Sequence, residues 1–513
     1  MTDGAAEPRR HVYAVWGVPP ETQAYAMAKY SRSSQSMLES IAELSAQKAA
    51  DFLETFYFQY GHRSIADLAH IALAFENISL WAAIKVVDEP LWDGQERSTR
   101  YQPFTRTRYH VPDSLTDPAT RGAYIAAANA LFRAYADLSR GLLDVLTTVV
   151  PRPTEMDDGA YRRTLRARAF DVARYLLPLA TRTSVGQITS ARVIERQISR
   201  LLADDLPECR AIAADLRDAC VRPAEAPLLT PLLDRAPPGL LDEVAKVAAA
   251  PTLVKYTTPA TYPGQARARF RPLAAAILDG LPPGSDQAVQ LAEGQTLEDG
   301  IVTTLLYAEE PGRRDYRQIA ARVGELDTAR RDEILAAAIA DRGRHDELLR
   351  EHRAGGLAFD VLTDIGSFRD LHRHRRCVQI IRDPDPADGI DDAESVFTAG
   401  LGADGATLAA ERGLVACYRD AIAAAFDAAA THRGHLGVET KYLYPLATRV
   451  RALFVMDYAE AAYIAELRTG PTGHFAYRRV AWEMYRAFAD RHPALAGSLR
   501  VTDPSEPIDM LRR

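Results

Sequence analysis

A chain of 513 residues is too long for one hydrophobic core, and a formal charge of −7 gives no general footprint for a nucleic-acid polymer. With 47% hydrophobic and 26% charged residues, the composition excludes a mainly disordered protein. No stretch supplies the roughly 20 uncharged apolar residues that cross a bilayer, and the start, MTDGAAEPRRHVYAV, lacks the apolar segment of a signal peptide, so the expected compartment is the cytoplasm.

From His11 to Arg235 helical and strand-like patterns alternate. Leu38, Ile41, Ala42, Ala49, Phe52, Leu53 and Phe56 recur at helical spacing, and Gly61 can end that helix before His62-x-Ser64. Ile71 to Ile78 reads as a strand and Leu80 to Val87 as an apolar helix. Next comes Glu96-x-Ser98-x-Arg100, followed by three stretches of helical periodicity, Arg121 to Thr148, Tyr161 to Leu177 and Thr189 to Leu202.

Prolines crowd the stretch from Arg222 to Ser285 and break regular structure there. This predicts a first domain over 1–235, a Pro-rich connector over 236–285 holding one helix, Leu240 to Ala249, and a second domain over 286–513. The second domain opens on the apolar run Ala288-Val289-Gln290-Leu291, reaches Arg373-His374-Arg375 inside a basic cluster from Arg369 to Arg376, and ends in a long helical region. Ala173 to Arg182 (ARYLLPLATR) parallels Thr440 to Arg449 (TKYLYPLATR), each following its own motif region, and a tandem repeat of one domain explains both.

In an extended segment Glu96, Ser98 and Arg100 project to one face, where a carboxylate, a hydroxyl and a guanidinium suit a nucleotide. Taken alone, that spacing also fits a solvated edge strand, and Arg373-His374-Arg375 also fits a solvated basic run or a phosphate patch. His372 and His374 have no third ligand at recognisable spacing, so no metal is expected. Cys209, Cys220, Cys377 and Cys417 show no paired spacing and read as free thiols.

Together, Glu96-x-Ser98-x-Arg100-Tyr101 and Arg373-His374-Arg375 resemble the motif R-H-R-x-x-S-x-N-E-x-S-x-R-Y of the flavin-dependent thymidylate synthases, divided over a duplicated chain. The order of landmarks, His62-x-Ser64, then the trio, then Arg174 four residues before Pro178, is similar to that family over nearly the whole first segment. The resemblance implies a helix-rich α+β fold in two tandem copies. It assigns Glu96, Ser98, Arg100, Arg174 and Arg373 to substrate, Ser64, Arg373, His374 and Arg375 to the flavin, and Arg468 to stabilising charge on the pyrimidine.

Each copy departs from the family where the other agrees. Asp88-Glu89-Pro90 stands at the triplet positions of the first copy, and Leu201, beside Arg200, at the place of the pyrimidine arginine. In the second copy Ile381, Asp383 and Asp385 replace glutamate, serine and arginine, Lys441 replaces Arg174, and Asp370 replaces a glutamine three residues before the triplet. A carboxylate at Asp370 is unfavourable near phosphate unless it is paired, for instance with Arg369 or Arg373. In that family the sites are shared between subunits, which implies that the residues kept here form two walls of one composite site.

The resemblance therefore implies reductive methylation of a uracil nucleotide with FAD, NADPH and methylenetetrahydrofolate, by a homodimer that rebuilds a four-domain assembly. Two alternatives stand beside it: an enzyme for another pyrimidine nucleotide or metabolite, and a catalytically silent flavin- or nucleotide-binding protein.

Overall fold

The computed structural model describes residues 19–29, 63–104, 109–223, 247–261, 264–265, 268, 286–292, 296–308, 316–340, 348, 350–353, 356–505 and 509–511. In chain order its elements are α1 (Pro20–Lys29), a 3-10 turn (Arg63–Asp67), β1 (His70–Ser79), α2 (Leu80–Val87), β2 (Asp93–Glu96), α3 (Pro118–Val149), α4 (Asp158–Ala173), a 3-10 turn (Arg174–Leu176), β3 (Arg182–Ser190), α5 (Ala191–Leu202) and α6 (Pro207–Val221). There follow β4 (Val289–Ala292), α7 (Leu297–Ala308), α8 (Tyr316–Gly324), α9 (Thr328–Ile339), β5 (Leu357–Asp364), α10 (Ile365–Leu371), β6 (Val378–Ile381), α11 (Ala393–Glu411), α12 (Leu414–Leu436), a 3-10 turn (Gly437–Leu443), β7 (Arg449–Met456), α13 (Tyr458–Arg468), α14 (Phe475–Ala489) and α15 (Pro493–Ala496). The fold is helix-rich α+β, with sheet orders β1-β3-β2 and β4-β5-β7-β6.

The chain divides into two units. Met1–Phe75, Lys85–Gln95 and Val185–Asp279 make the first, and Glu76–Ile84, Glu96–Ser184 and Gly280–Arg513 the second, so the division passes through the strands of the smaller sheet. In the first unit Val193, Ile194, Ile198 and Leu201 of α5 are buried with Cys209, Ile212 and Leu216 of α6. A chain of hydrogen bonds runs from Trp92 Nε1 to Gln187 Oε1 (2.7 Å), from Gln187 Nε2 to Gln197 Oε1 (3.0 Å), and from Gln197 Nε2 to the Val86 carbonyl (2.7 Å). These bonds satisfy polar groups that are costly to bury alone. Gly94 lies so close to β3 that a Cβ there would fall 2.1 Å from the Gly186 carbonyl oxygen.

In the second unit the four-stranded sheet is antiparallel throughout. β7, RVRALFVM, buries every second residue, Val450, Ala452, Phe454 and Met456, as a half-covered strand does. Phe359 and Val361 of β5 are buried alongside, with Val480, Ala481 and Met484 of α14. Tyr124, Leu131, Phe132, Tyr135, Leu138 and Leu142 give α3 an apolar stripe at helical spacing, and Asp117 caps its start by accepting from the Thr120 N–H at 2.8 Å.

The parallel decapeptides meet in this unit. Pro178 lies opposite Pro445 in an antiparallel bridge; Leu179 N–H donates to the Tyr444 carbonyl and Leu446 N–H to the Leu177 carbonyl, each at 2.9 Å. The prolines occupy the non-hydrogen-bonded pair, where no N–H is required of them. The same turn bonds recur in both, Thr181 N–H to the Pro178 carbonyl and Thr448 N–H to the Pro445 carbonyl, each at 2.9 Å. Each segment also receives the start of a helix: Leu80 N–H bonds the Thr181 carbonyl at 2.9 Å and Ile365 N–H bonds the Thr448 carbonyl at 3.0 Å.

The strand over Ile71 to Ile78 and the helix over Leu80 to Val87 are present as β1 and α2, and the apolar run at Ala288 to Leu291 as β4. The helical stretch Tyr161 to Leu177 ends earlier, at Ala173, and tightens into a 3-10 turn before Pro178. The stretch Thr189 to Leu202 is a helix only from Ala191, because Thr189 and Ser190 finish β3. That strand, RTSVGQITS, buries Thr183, Val185, Gln187 and Thr189, so polar inward residues hide its alternation. The helix expected over Leu38 to Phe56 lies outside the described residues, as do 240–246 of the connector helix; 247–249 are not helical. Among the described residues no helix is long and apolar enough to cross a membrane, and no group of three acidic, histidine or cysteine side chains could hold a metal ion.

Candidate functional site

Every site residue singled out above except Ser64 lies in the second unit. Ser64 has its backbone in the turn Arg63–Asp67, and its side chain lies outside the described residues. Glu96, Ser98 and Arg100 do not share one extended face, because β2 stops at Glu96. Ser98 Oγ accepts from the Arg100 N–H at 3.2 Å, a side-chain-to-backbone bond that turns the chain.

That turn buries Arg100, 8% exposed, against α4. Its Nε donates to Asp171 Oδ1 at 2.7 Å and its Nη2 to Asp171 Oδ2 at 3.3 Å, a bidentate pair, while Nη1 reaches Tyr477 Oη at 3.4 Å. Burial works against the charge, but Asp171 overrides it and holds the guanidinium more firmly protonated than usual. Glu96 accepts from Arg369 Nη2 of α10. Arg174 opens the 3-10 turn after α4, is 2% exposed, and pairs with Asp370 Oδ2 at 3.5 Å from Nη1. Asp370 is thus paired across the two halves, with Arg174, and Arg369 is taken by Glu96.

Arg174 Nε and Nη2 and Arg369 Nε are buried with no hydrogen-bond acceptor among the described residues. So are the hydroxyls of Ser367 and Tyr175 and Oδ2 of Asp364. Asp364 caps α10 by accepting from the Ser367 N–H at 2.6 Å, and burial, with Asp391 adding to it, pushes its carboxyl up to about 6. Gly366 lets the first turn of α10 lie against Arg174, since a Cβ there would stand 3.4 Å from Arg174 Nη2 and 3.0 Å from Asp364 Oδ1. Unpaired buried donors of this kind are costly and mark where an acceptor-rich ligand can bind.

In the arginine-histidine triplet Arg373 is exposed, His374 is 4% exposed and Arg375 is half-buried. Arg468 ends α13 and its Nε donates to His374 Nε2 at 2.7 Å; Nδ1 of the same ring lies 3.3 Å from Glu460 Oε1. Burial lowers the imidazole's affinity for a proton, opposed by Glu460 and helped by Arg468 and Arg373. The Tyr477 ring joins the two sides, with the Arg100 guanidinium carbon 5.9 Å and that of Arg468 5.4 Å from its centroid. His474 caps α14, accepting from the Ala476 N–H at 3.2 Å on Nδ1, so Nε2 carries the proton given to the Asp171 carbonyl at 2.8 Å. Burial, then Arg174, keep that ring neutral well below the ordinary histidine range.

Glu96, Arg100 and Arg174 from one half therefore meet Arg369, Asp370, His374 and Arg468 from the other through ion pairs and one shared aromatic ring. Sequence reading missed Asp171, Glu460, Asp364, His474 and Tyr477. A signal existed for Asp171, which sits one helical turn before Arg174.

Over 476 residues the chain is 26% identical to a UPF0159 protein of Chlamydia muridarum, covering 90% of this chain and 83% of that one. It is 25% identical to a UPF0159 protein of Thermoplasma acidophilum, covering 94% and 95%. Among solved structures it is similar to a UMP/dUMP methylase from Streptomyces cacaoi bound with 5-Br dUMP, at 16% identity and a TM-score of 0.30, over 41% of this chain and 93% of that chain. Residues 15–224 match the family model described as thymidylate synthase complementing protein.

Proposed function

We propose that the chain is a duplicated flavin-dependent thymidylate synthase domain with one composite site, catalysing reductive methylation of a uracil nucleotide, dUMP or a close analogue. The observation that carries this reading is the buried Arg174 guanidinium, whose Nε and Nη2 have no acceptor among the described residues, set among side chains of both halves. A phosphate or sugar oxygen would satisfy those donors, and an arginine fork binds phosphate bidentately. The repeated order of elements and the reciprocal bonds between the decapeptides support the duplication.

The residues present fit a flavin. Arg373 and Arg375, exposed and half-buried, would hold its anionic part. Bound FAD would supply the redox chemistry, with NADPH as reductant and methylenetetrahydrofolate as carbon donor. Arg468, aimed by His374, would stabilise negative charge on the pyrimidine carbonyl, the electrostatic work asked of a fixed cation in a water-poor site. A homodimer is part of this reading.

A second reading, another pyrimidine nucleotide or metabolite, is favoured by one observation: Asp370 lies beside Arg174, where its carboxylate opposes a phosphate dianion. Flavin content and nucleotide titration test both. Purified protein should carry or take up FAD, Arg373→Ala should lose most of it, and Arg174→Ala should weaken dUMP binding by about tenfold or more. Unchanged flavin content in Arg373→Ala would end the composite-site reading, while FAD binding without dUMP binding selects the second. Complementation of a thymidine-requiring strain then separates dUMP from other substrates.

A further inference from the structure

Arg468 is a cation held by a ring nitrogen, and only one protonation state of that ring can hold it. Its Nε–H donates to His374 Nε2 at 2.7 Å, so Nε2 must present a lone pair. The ring proton then belongs on Nδ1, facing Glu460 Oε1 at 3.3 Å. Side chains of His374 and Glu460 are 3% and 4% exposed, so water competes little for either. Glu460 is itself fixed at the first turn of α13, where its N–H donates to Asp457 Oδ1 at 2.8 Å.

We propose that Glu460 is a positioning residue for the reaction: it fixes His374 as the Nδ1–H tautomer, and His374 in turn aims Arg468 into the site. This rests on the reading of Arg468 given above. Protonating His374 puts an N–H against the Arg468 N–H, two donors with no acceptor between them, and the arginine loses its support. The groups facing the ring are Glu460, Arg468 and Tyr463 of α13 and Arg373 of its own loop, while Gln379 of β6 and Cys377 bond its backbone carbonyl. Glu460 is the one carboxylate among them, so removing its charge makes His374 harder to protonate.

The test uses the full chain with FAD, NADPH, methylenetetrahydrofolate and dUMP, together with NMR of protein carrying ring-15N histidine. Glu460→Ala should lower kcat about tenfold while leaving KM for dUMP within about twofold, the pattern of a lost transition-state interaction. Glu460→Gln, which keeps an acceptor for Nδ1–H, should restore most of kcat and move the acid limb of the pH profile to lower pH. NMR of the wild type should show Nδ1 protonated and Nε2 bare. An active enzyme with Nε2 protonated, or one whose Glu460→Gln acid limb stays or moves upward, overturns the positioning role and leaves the reaction standing. A wild type that binds flavin but turns over no uracil compound overturns the reaction and this role with it.

Discussion

Each half sets a buried acid near an arginine of the helix that follows a strand, and the two halves join them differently. In the second half His374 stands between Glu460 and Arg468, so the arginine is held by a neutral ring and keeps its charge uncompensated there. In the first half Glu89, whose side chain is 2% exposed, occupies the middle triplet position and takes two arginines of α5 directly. Arg196 Nη2 lies at 2.6 Å from its carboxylate and Arg200 Nε at 2.9 Å. The third residue of each helix explains part of this, Glu460 in α13 against Val193 in α5. With valine at that third position, a histidine at position 89 would lack the counterpart of Glu460. An ion pair closed on itself stabilises local structure and leaves little field for a ligand; a charge propped by a neutral donor–acceptor chain remains available.

The widest separation between the halves should come from the arginines. Arg468→Ala should lower turnover by about a hundredfold or more, whereas Arg200→Ala should leave it within about twofold, both read as kcat with saturating dUMP. Equal losses in the two variants would dissolve the contrast. Next in size is Glu89→Gln, which leaves Arg196 and Arg200 facing a buried amide. Since those arginines are 53% and 31% exposed and water can recover part of the loss, the cost should be about 2 kcal/mol in urea unfolding, with turnover kept.

A smaller effect sharpens the second half. Asp364 has its carboxyl raised to about 6 by burial, above its ordinary 3.8, so the folded state holds the proton more tightly than the unfolded chain does. Its contribution to stability is full below about pH 4 and is lost as pH rises through about 6. Asp364→Asn keeps an oxygen for the Ser367 N–H and removes the buried charge. It should raise stability by about 1–2 kcal/mol at pH 7.5, with the gain vanishing below pH 4 in thermal melts. A gain that persists at low pH would mean that the carboxyl is not the titrating group.

Local patterns were legible where the segment's own side chains decide the outcome. Leu80 to Val87 carries leucine and two alanines, good helix formers, in an apolar run, and α3 shows its stripe at helical spacing from Tyr124 to Leu146. β3 escaped because Thr183, Gln187 and Thr189 point inward, which needs hydrogen-bonding partners that no window of sequence contains. For the same reason the landmarks Glu96, Arg100, Arg174, His374 and Arg468 could be named in advance and their partners could not. Arg100 finds Asp171 71 residues away, Arg174 finds Asp370 at 196, and Glu96 finds Arg369 at 273.

By itself the sequence determined which chemical groups this protein has and which half supplies each: an acid, hydroxyl and guanidinium at 96–100, a triplet at 373–375, and two similar decapeptides. Tertiary structure alone decided which of those charges are spent on one another and which are left over. Arg100 is satisfied by Asp171, Arg174 is half satisfied by Asp370, and Arg468 leans on a histidine whose proton is set by Glu460. The physical reason is that charge pairing at about 3 Å depends on distance and burial, which chain folding sets and residue order does not encode locally.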